Sequence, residues 1–102
     1  MRPQSVAKLR KHGGHWLKGL RDAAGLSQRE LAKRLDVPHY TIVSQLEHGR
    51  GRIPPDQYEA WANALNVPVD TFVREQLRFY DPITHDILFG PSGAPKRRGK
   101  AA

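Results

Sequence analysis

The sequence of 102 residues contains no cysteine. That excludes disulfides, thiolate zinc sites, iron–sulfur clusters and a cysteine nucleophile, and it gives no sign of an oxidising compartment. No apolar run approaches the roughly 20 residues that span a bilayer. The first residues have neither the apolar stretch nor the small-residue cleavage site of a secretory signal. A soluble, cytoplasmic protein without a membrane partner is expected. Also missing are a convincing alternating strand pattern and an internal repeat of 20–50 residues. The length fits one small domain.

What is present is basic charge, with 17 Lys+Arg against 10 Asp+Glu and a net charge of +7. Its distribution is uneven. Residues 1–14 carry Arg2, Lys8, Arg10 and Lys11 and no acid, for +4; residues 91–102 carry Lys96, Arg97, Arg98 and Lys100 and no acid, again +4. Residues 15–90 hold all ten acids and come to −1. The basic ends attract phosphate without regard to sequence, or they are plain solubilising tails. Residues 1–14 end in Gly13-Gly14 and read as a flexible basic arm; residues 91–102 read as a disordered basic tail.

Between the ends the pattern is helical. A first helix is predicted over 15–24, with Trp16, Leu17 and Leu20 on one face and Gly25 as its stop. A second covers 28–35, where Ser27 and Glu30 have the spacing of a capping box and Leu31, Ala32 and Leu35 form the buried stripe. Asp36-Val37-Pro38 breaks the chain. A third helix is predicted over 38–48, with Ile42, Val43 and Leu46 inward and Gly49 as its cap. Arg50-Gly51-Arg52 lies in a loop. A fourth helix covers 55–65 and a fifth 69–80, ended by Asp81-Pro82. Residues 81–90 are an apolar extension, either a short helix or an extended segment.

Two short helices with a tight break between them suggest a helix-turn-helix. The run Leu20-Arg21-Asp22-Ala23-Ala24-Gly25-Leu26-Ser27-Gln28-Arg29-Glu30-Leu31-Ala32 resembles the opening of lambda-repressor-like, Cro-type (XRE family) DNA-binding domains. The likeness continues through Gln45-Leu46-Glu47-His48-Gly49, Pro55 and Ala64-Leu65-Asn66-Val67, and covers roughly residues 15–75. Two departures stand out. Asp36 occupies the turn position where the family usually has glycine, and the interval from Asp36 to Glu47 is one residue longer than the common family spacing.

The resemblance implies an all-α, compact five-helix domain over residues 15–80, with the helix-turn-helix in its second and third helices. The third helix would enter the major groove of double-stranded DNA. Gln45, Thr41, Tyr40 and His39 would then face the bases, Gln45 being able to pair bidentately with adenine. Gln28, at a helix start, matches the family's phosphate-binding glutamine. Ser44, Arg29, Lys33, Arg50 and Arg52 are further phosphate candidates. Outside such a motif, polar residues on an exposed helix are simply solvated. Arg21 and Glu47 match the family's partly buried ion pair, a structural role.

The five histidines do not form a metal site by spacing, since His12 and His15 have no cysteine or acid nearby to complete one. No catalytic constellation is visible, so neither enzymatic activity nor a cofactor is expected. Helix-turn-helix domains usually pair to read two half-sites. Tyr80, Ile83, Ile87, Leu88 and Phe89 either form a symmetric homodimer interface or fold back over their own core. The function expected is a sequence-specific transcriptional regulator, more specifically a repressor, controlled by its level, its oligomerisation or a second protein. The alternatives are an antitoxin-like or adaptor module that binds protein, and a nonspecific nucleoid-type DNA binder.

Overall fold

A computed structural model describes residues 3–90, with side chains from Val6 onward. Six α-helices follow one another: α1 (Pro3–Ala23), α2 (Gln28–Arg34), α3 (Thr41–Glu47), α4 (Tyr58–Ala64), α5 (Val69–Tyr80) and α6 (Pro82–Phe89). A 3₁₀ turn, Pro55–Gln57, leads into α4. No strand occurs among the described residues, and no helix there is long and apolar enough to cross a membrane.

The chain leaves α1, α2, α3 and α4 by the same device. At each end the first residue past the cap takes positive φ: Gly25 (72°), Asp36 (57°), Gly49 (79°) and Asn66 (60°). The two backbone bonds of a Schellman motif close each one, as in Asp36 N–H to the Lys33 carbonyl and Val37 N–H to the Ala32 carbonyl. Asp36 and Asn66 can occupy left-handed geometry because a short polar side chain tolerates it better than most. The residue that follows is apolar at three of these ends: Leu26, Val37 and Val67. After α3 it is the exposed Arg50.

Leu17, Leu31, Val43, Ile53, Trp61, Ala62, Leu65 and Phe72 make the centre of the core. Trp16 joins α1 to α5 through ring contacts with Phe72 at 5.2 Å and Phe79 at 5.6 Å. Burial of this apolar surface is what makes seven-residue helices stable, since isolated helices of that length do not persist in water.

Five of the sequence expectations are corrected here. The arm expected over residues 1–14 is helical from Pro3, because Gly13 and Gly14 are not a hinge. They are buried close-approach points: a Cβ on Gly13 would lie 3.0 Å from Phe79 Cβ and Tyr80 Cε2, and one on Gly14 would lie 2.3 Å from the Glu47 carbonyl oxygen. Among the described residues the helices number six, not five, because Asp81 ends α5 and caps α6. Its carboxylate accepts from the Thr84 amide at 3.2 Å and from the Thr84 hydroxyl at 2.7 Å. The third helix begins at Thr41, so the longer turn extends through Tyr40. Ile42 is turned outward, 40% exposed, instead of into the core, where Val43 takes the place beside Leu46. Tyr80 is 7% exposed against its own fold, which removes it from the exterior face proposed for pairing. The tail 91–102 lies outside the described residues.

Candidate nucleic-acid interface

The outer face of α3 is built by the burial of its inner one. Val43 (0% exposed) and Leu46 (6%) anchor the helix, which leaves Thr41, Ile42 and Gln45 in solvent and Ser44 half-buried. Residues 41, 42 and 45 share one exposed face, and His39 and Tyr40 extend it into the preceding turn. The face thus offers an amide, two hydroxyls with Ser44, and the apolar side chain of Ile42. Such a set matches the groups a major groove presents, because an amide pairs with adenine and apolar carbons contact the thymine methyl.

Ile42 is the residue that sequence reasoning missed. It lies four positions before Leu46 and Val43 lies three before it, so helical spacing alone suits either as the inward partner. Packing decides in favour of Val43, which is buried while Ile42 is exposed.

Behind α3, Glu47 organises three helices. Its side chain, 4% exposed, accepts from Arg21 Nε at 2.6 Å and Nη2 at 3.2 Å, and from Gln28 Nε2 at 3.0 Å. Arg21 Nη1 also donates to the Leu26 carbonyl at 2.8 Å, holding the α1–α2 turn just before the cap of α2. The hydrogen bond to Glu47 keeps the Arg21 guanidinium above its ordinary pKa despite the opposing cost of burial. Gln28 therefore sits at the head of α2 with one amide hydrogen committed to Glu47. Its position is fixed, and the second amide hydrogen is the one left for another acceptor. The capping box of α2 is formed: Ser27 N–H donates to Glu30 Oε1 at 2.8 Å, and Glu30 N–H donates to Ser27 Oγ at 3.0 Å. The Ser27 backbone N–H, and after it the Ser27 side chain, holds the Glu30 carboxyl below its ordinary pKa.

The basic candidates surround this face at different places. The Arg29 guanidinium lies over the Tyr40 ring at 4.5 Å, coupling α2 to the turn. With Lys33 and His39 they border a shallow recess whose floor is Ala32, Val37 and Pro38. Arg50 is exposed just past α3. Arg52 is exposed too, and its Nη2 reaches the Tyr58 hydroxyl at 3.3 Å. Gly51, at φ 80°, separates the two arginines, while Ile53, fully buried, pins the loop down. The His48 ring turns back to the Ser44 carbonyl at 2.7 Å. Of the residues expected at a dimer contact, Ile83 (69%), Ile87 (60%) and Leu88 (41%) are exposed on α6. Phe89 is partly covered and its ring meets His85 at 5.4 Å.

A short capped helix, a six-residue turn and a second short helix with a polar outer face define a helix-turn-helix protein. Residues 14–74 match the family model of the helix-turn-helix domain, and the chain belongs to that family, in keeping with a lambda-repressor-like domain. No curated protein matches the chain.

Proposed function

We propose that this protein is a sequence-specific transcriptional repressor of the XRE type that binds double-stranded DNA in the cytoplasm, on the nucleoid. It acts by occupying promoter DNA and not by catalysis. The observation that carries this reading is the outer face of α3, where Thr41, Ile42 and Gln45 project over the buried anchors Val43 and Leu46. Gln45 reads adenine, Ile42 and Thr41 contact thymine methyls or sugar, and His39 and Tyr40 serve the edge of the same groove. Gln28, Ser44, Arg29, Lys33, Arg50 and Arg52 hold phosphates and set the register of the helix.

One α3 contacts few base pairs, and two-fold pairing places a second copy on the adjacent half-site. Ile83, Ile87 and Leu88 on α6 are the apolar surface that supports a homodimer in the extension 81–90. The same exposure favours the second reading, in which α6 docks an antitoxin-type or adaptor partner. Selection from a random duplex pool with the purified protein tests the assignment. An enriched inverted repeat, lost with Gln45→Ala, is the expected result. The absence of any enriched sequence from a folded protein overturns it. Light scattering on Ile83→Asp/Ile87→Asp should then read a monomer, and a dimer that persists refers pairing to another face.

A further inference from the structure

Past the C-cap of α3, the groove between that end and the first half of α1 is bordered by Arg10, Lys11, His48 and Arg50. No acid lines it, and its apolar floor is made by Val6 and Ala7. Among the described residues Arg10, Lys11 and Arg50 have no ion-pair partner, whereas Lys18 faces Asp22, Arg21 faces Glu47 and Arg78 faces Glu75. We propose that this groove is a second anion-holding surface, occupied by the DNA backbone flanking the segment read by α3. The proposal rests on the DNA-binding reading given above and extends its footprint to residues outside the span 14–74.

Three independent features support it. First, the backbone that carries Arg10 and Lys11 is held in place. Gly49 sits so near α1 that a Cβ there would lie 3.0 Å from the Lys11 amide nitrogen and 3.1 Å from the Arg10 carbonyl oxygen. Gly13 packs the same helix against Phe79 and Tyr80, and the Arg10 guanidinium lies 5.8 Å from the Tyr80 ring centre, which leaves Lys11 and Arg50 as the unpaired cations of the groove. Charges fixed on a helix need no ordering when phosphate arrives, unlike charges on a free arm. Second, Lys8, Lys11 and His15 recur at intervals of three and four, so basic side chains continue for about 10 Å along the exposed side of α1. Third, Arg50 occupies the position after a Schellman cap where the other three ends carry Leu26, Val37 and Val67. An apolar residue there stabilises the helix end. A solvent-exposed arginine gives that up and directs a charge toward the same groove.

The test compares wild type with Lys11→Gln, an exposed side chain that lines the groove, in anisotropy titrations on duplexes of graded length. Runs cover salt from about 50 to 200 mM. Each lost phosphate contact reduces the slope of log K against log salt by about 0.9, so the variant should be shallower by about that amount on long duplexes. It should match wild type on duplexes trimmed to the segment protected by α3, and base preference should be unchanged throughout. Equal slopes on long duplexes overturn the proposal, including the case in which the groove instead takes an acidic protein segment or an anionic lipid surface. A wild type that shows the slope difference without any sequence preference keeps the groove and discards the base-reading assignment. A wild type that does not bind duplex DNA discards both.

Discussion

Residues 14–74 and the helical pieces on either side of them bury polar groups in opposite ways. Within the first, the buried carboxylate of Glu47 meets three donors from Arg21 and Gln28. In the flanking pieces, Gln76 is fully buried, yet neither its amide nitrogen nor its oxygen has a hydrogen-bond partner among the described residues. The same holds for the Tyr80 hydroxyl and His85 Nε2. Burial also pushes the Tyr80 hydroxyl to a higher pKa, against the pull of Arg10 and Arg52. The difference shows what each part specifies. The ion-pair network fixes α1, α2 and α3 in one mutual register, because any other leaves a charge buried and unpaired. Apart from the Asp81 cap, the α5–α6 joint rests on shape and apolar contact, which define a fit less sharply.

The largest effect should come from breaking the network. Glu47→Ala leaves Arg21 buried without its carboxylate and should cost about 3–5 kcal/mol of folding stability. Gln76→Met removes an amide with no partner of its own and should change stability by less than about 1.5 kcal/mol, in either direction. Chemical denaturation of both variants checks the pair. A Glu47→Ala protein that unfolds with wild type would remove the structural role of the ion pair. Reduced DNA binding in that variant should follow the fraction folded and not mark a lost contact.

The seam between the two regions is α1, where its glycines give a smaller contrast. Gly14→Ala would drive a Cβ into the Glu47 carbonyl, which belongs to rigid backbone, and should destabilise by about 1–3 kcal/mol. Gly19 lies in the same helix with nothing within 4 Å of a Cβ. There, Gly→Ala should stabilise by about 1 kcal/mol through helix propensity alone. Opposite shifts in melting temperature are the expected outcome. Shifts of the same sign would mean that Gly14 is tolerated for some reason other than close approach.

These glycines also mark where the sequence was hard to read. Locally, Gly13-Gly14 has the composition of a break, and each glycine opposes a helix by about 1 kcal/mol. The packing of Phe79, Tyr80 and the end of α3 outweighs that cost, and such packing is long-range. The capping box at Ser27 and Glu30 and the turn at Asp36 were legible because both are set by neighbours in sequence. The facing of Ile42 was not, since helical spacing suits Ile42 and Val43 alike and long-range packing chooses between them. The polar candidates on α3 were legible through the motif, whereas the basic groove needed α1 and α3 to be placed side by side.

At the joint itself the smallest effect should appear, and it depends on pH. The Thr84 hydroxyl, and after it the Thr84 amide, donates to Asp81 and holds its carboxyl below the ordinary pKa. The folded state thus favours the ionised form more than the unfolded chain does. The resulting stability is complete above the ordinary carboxylate value and is lost as pH falls through the lower folded value. Asp81→Ala should therefore cost about 1 kcal/mol at neutral pH, as for other N-caps. That gap between wild type and variant should narrow below about pH 4. Thermal melts across that range read it directly. A constant gap would assign the effect of Asp81 to helix geometry instead of charge, and the α5–α6 joint would then rest on shape alone.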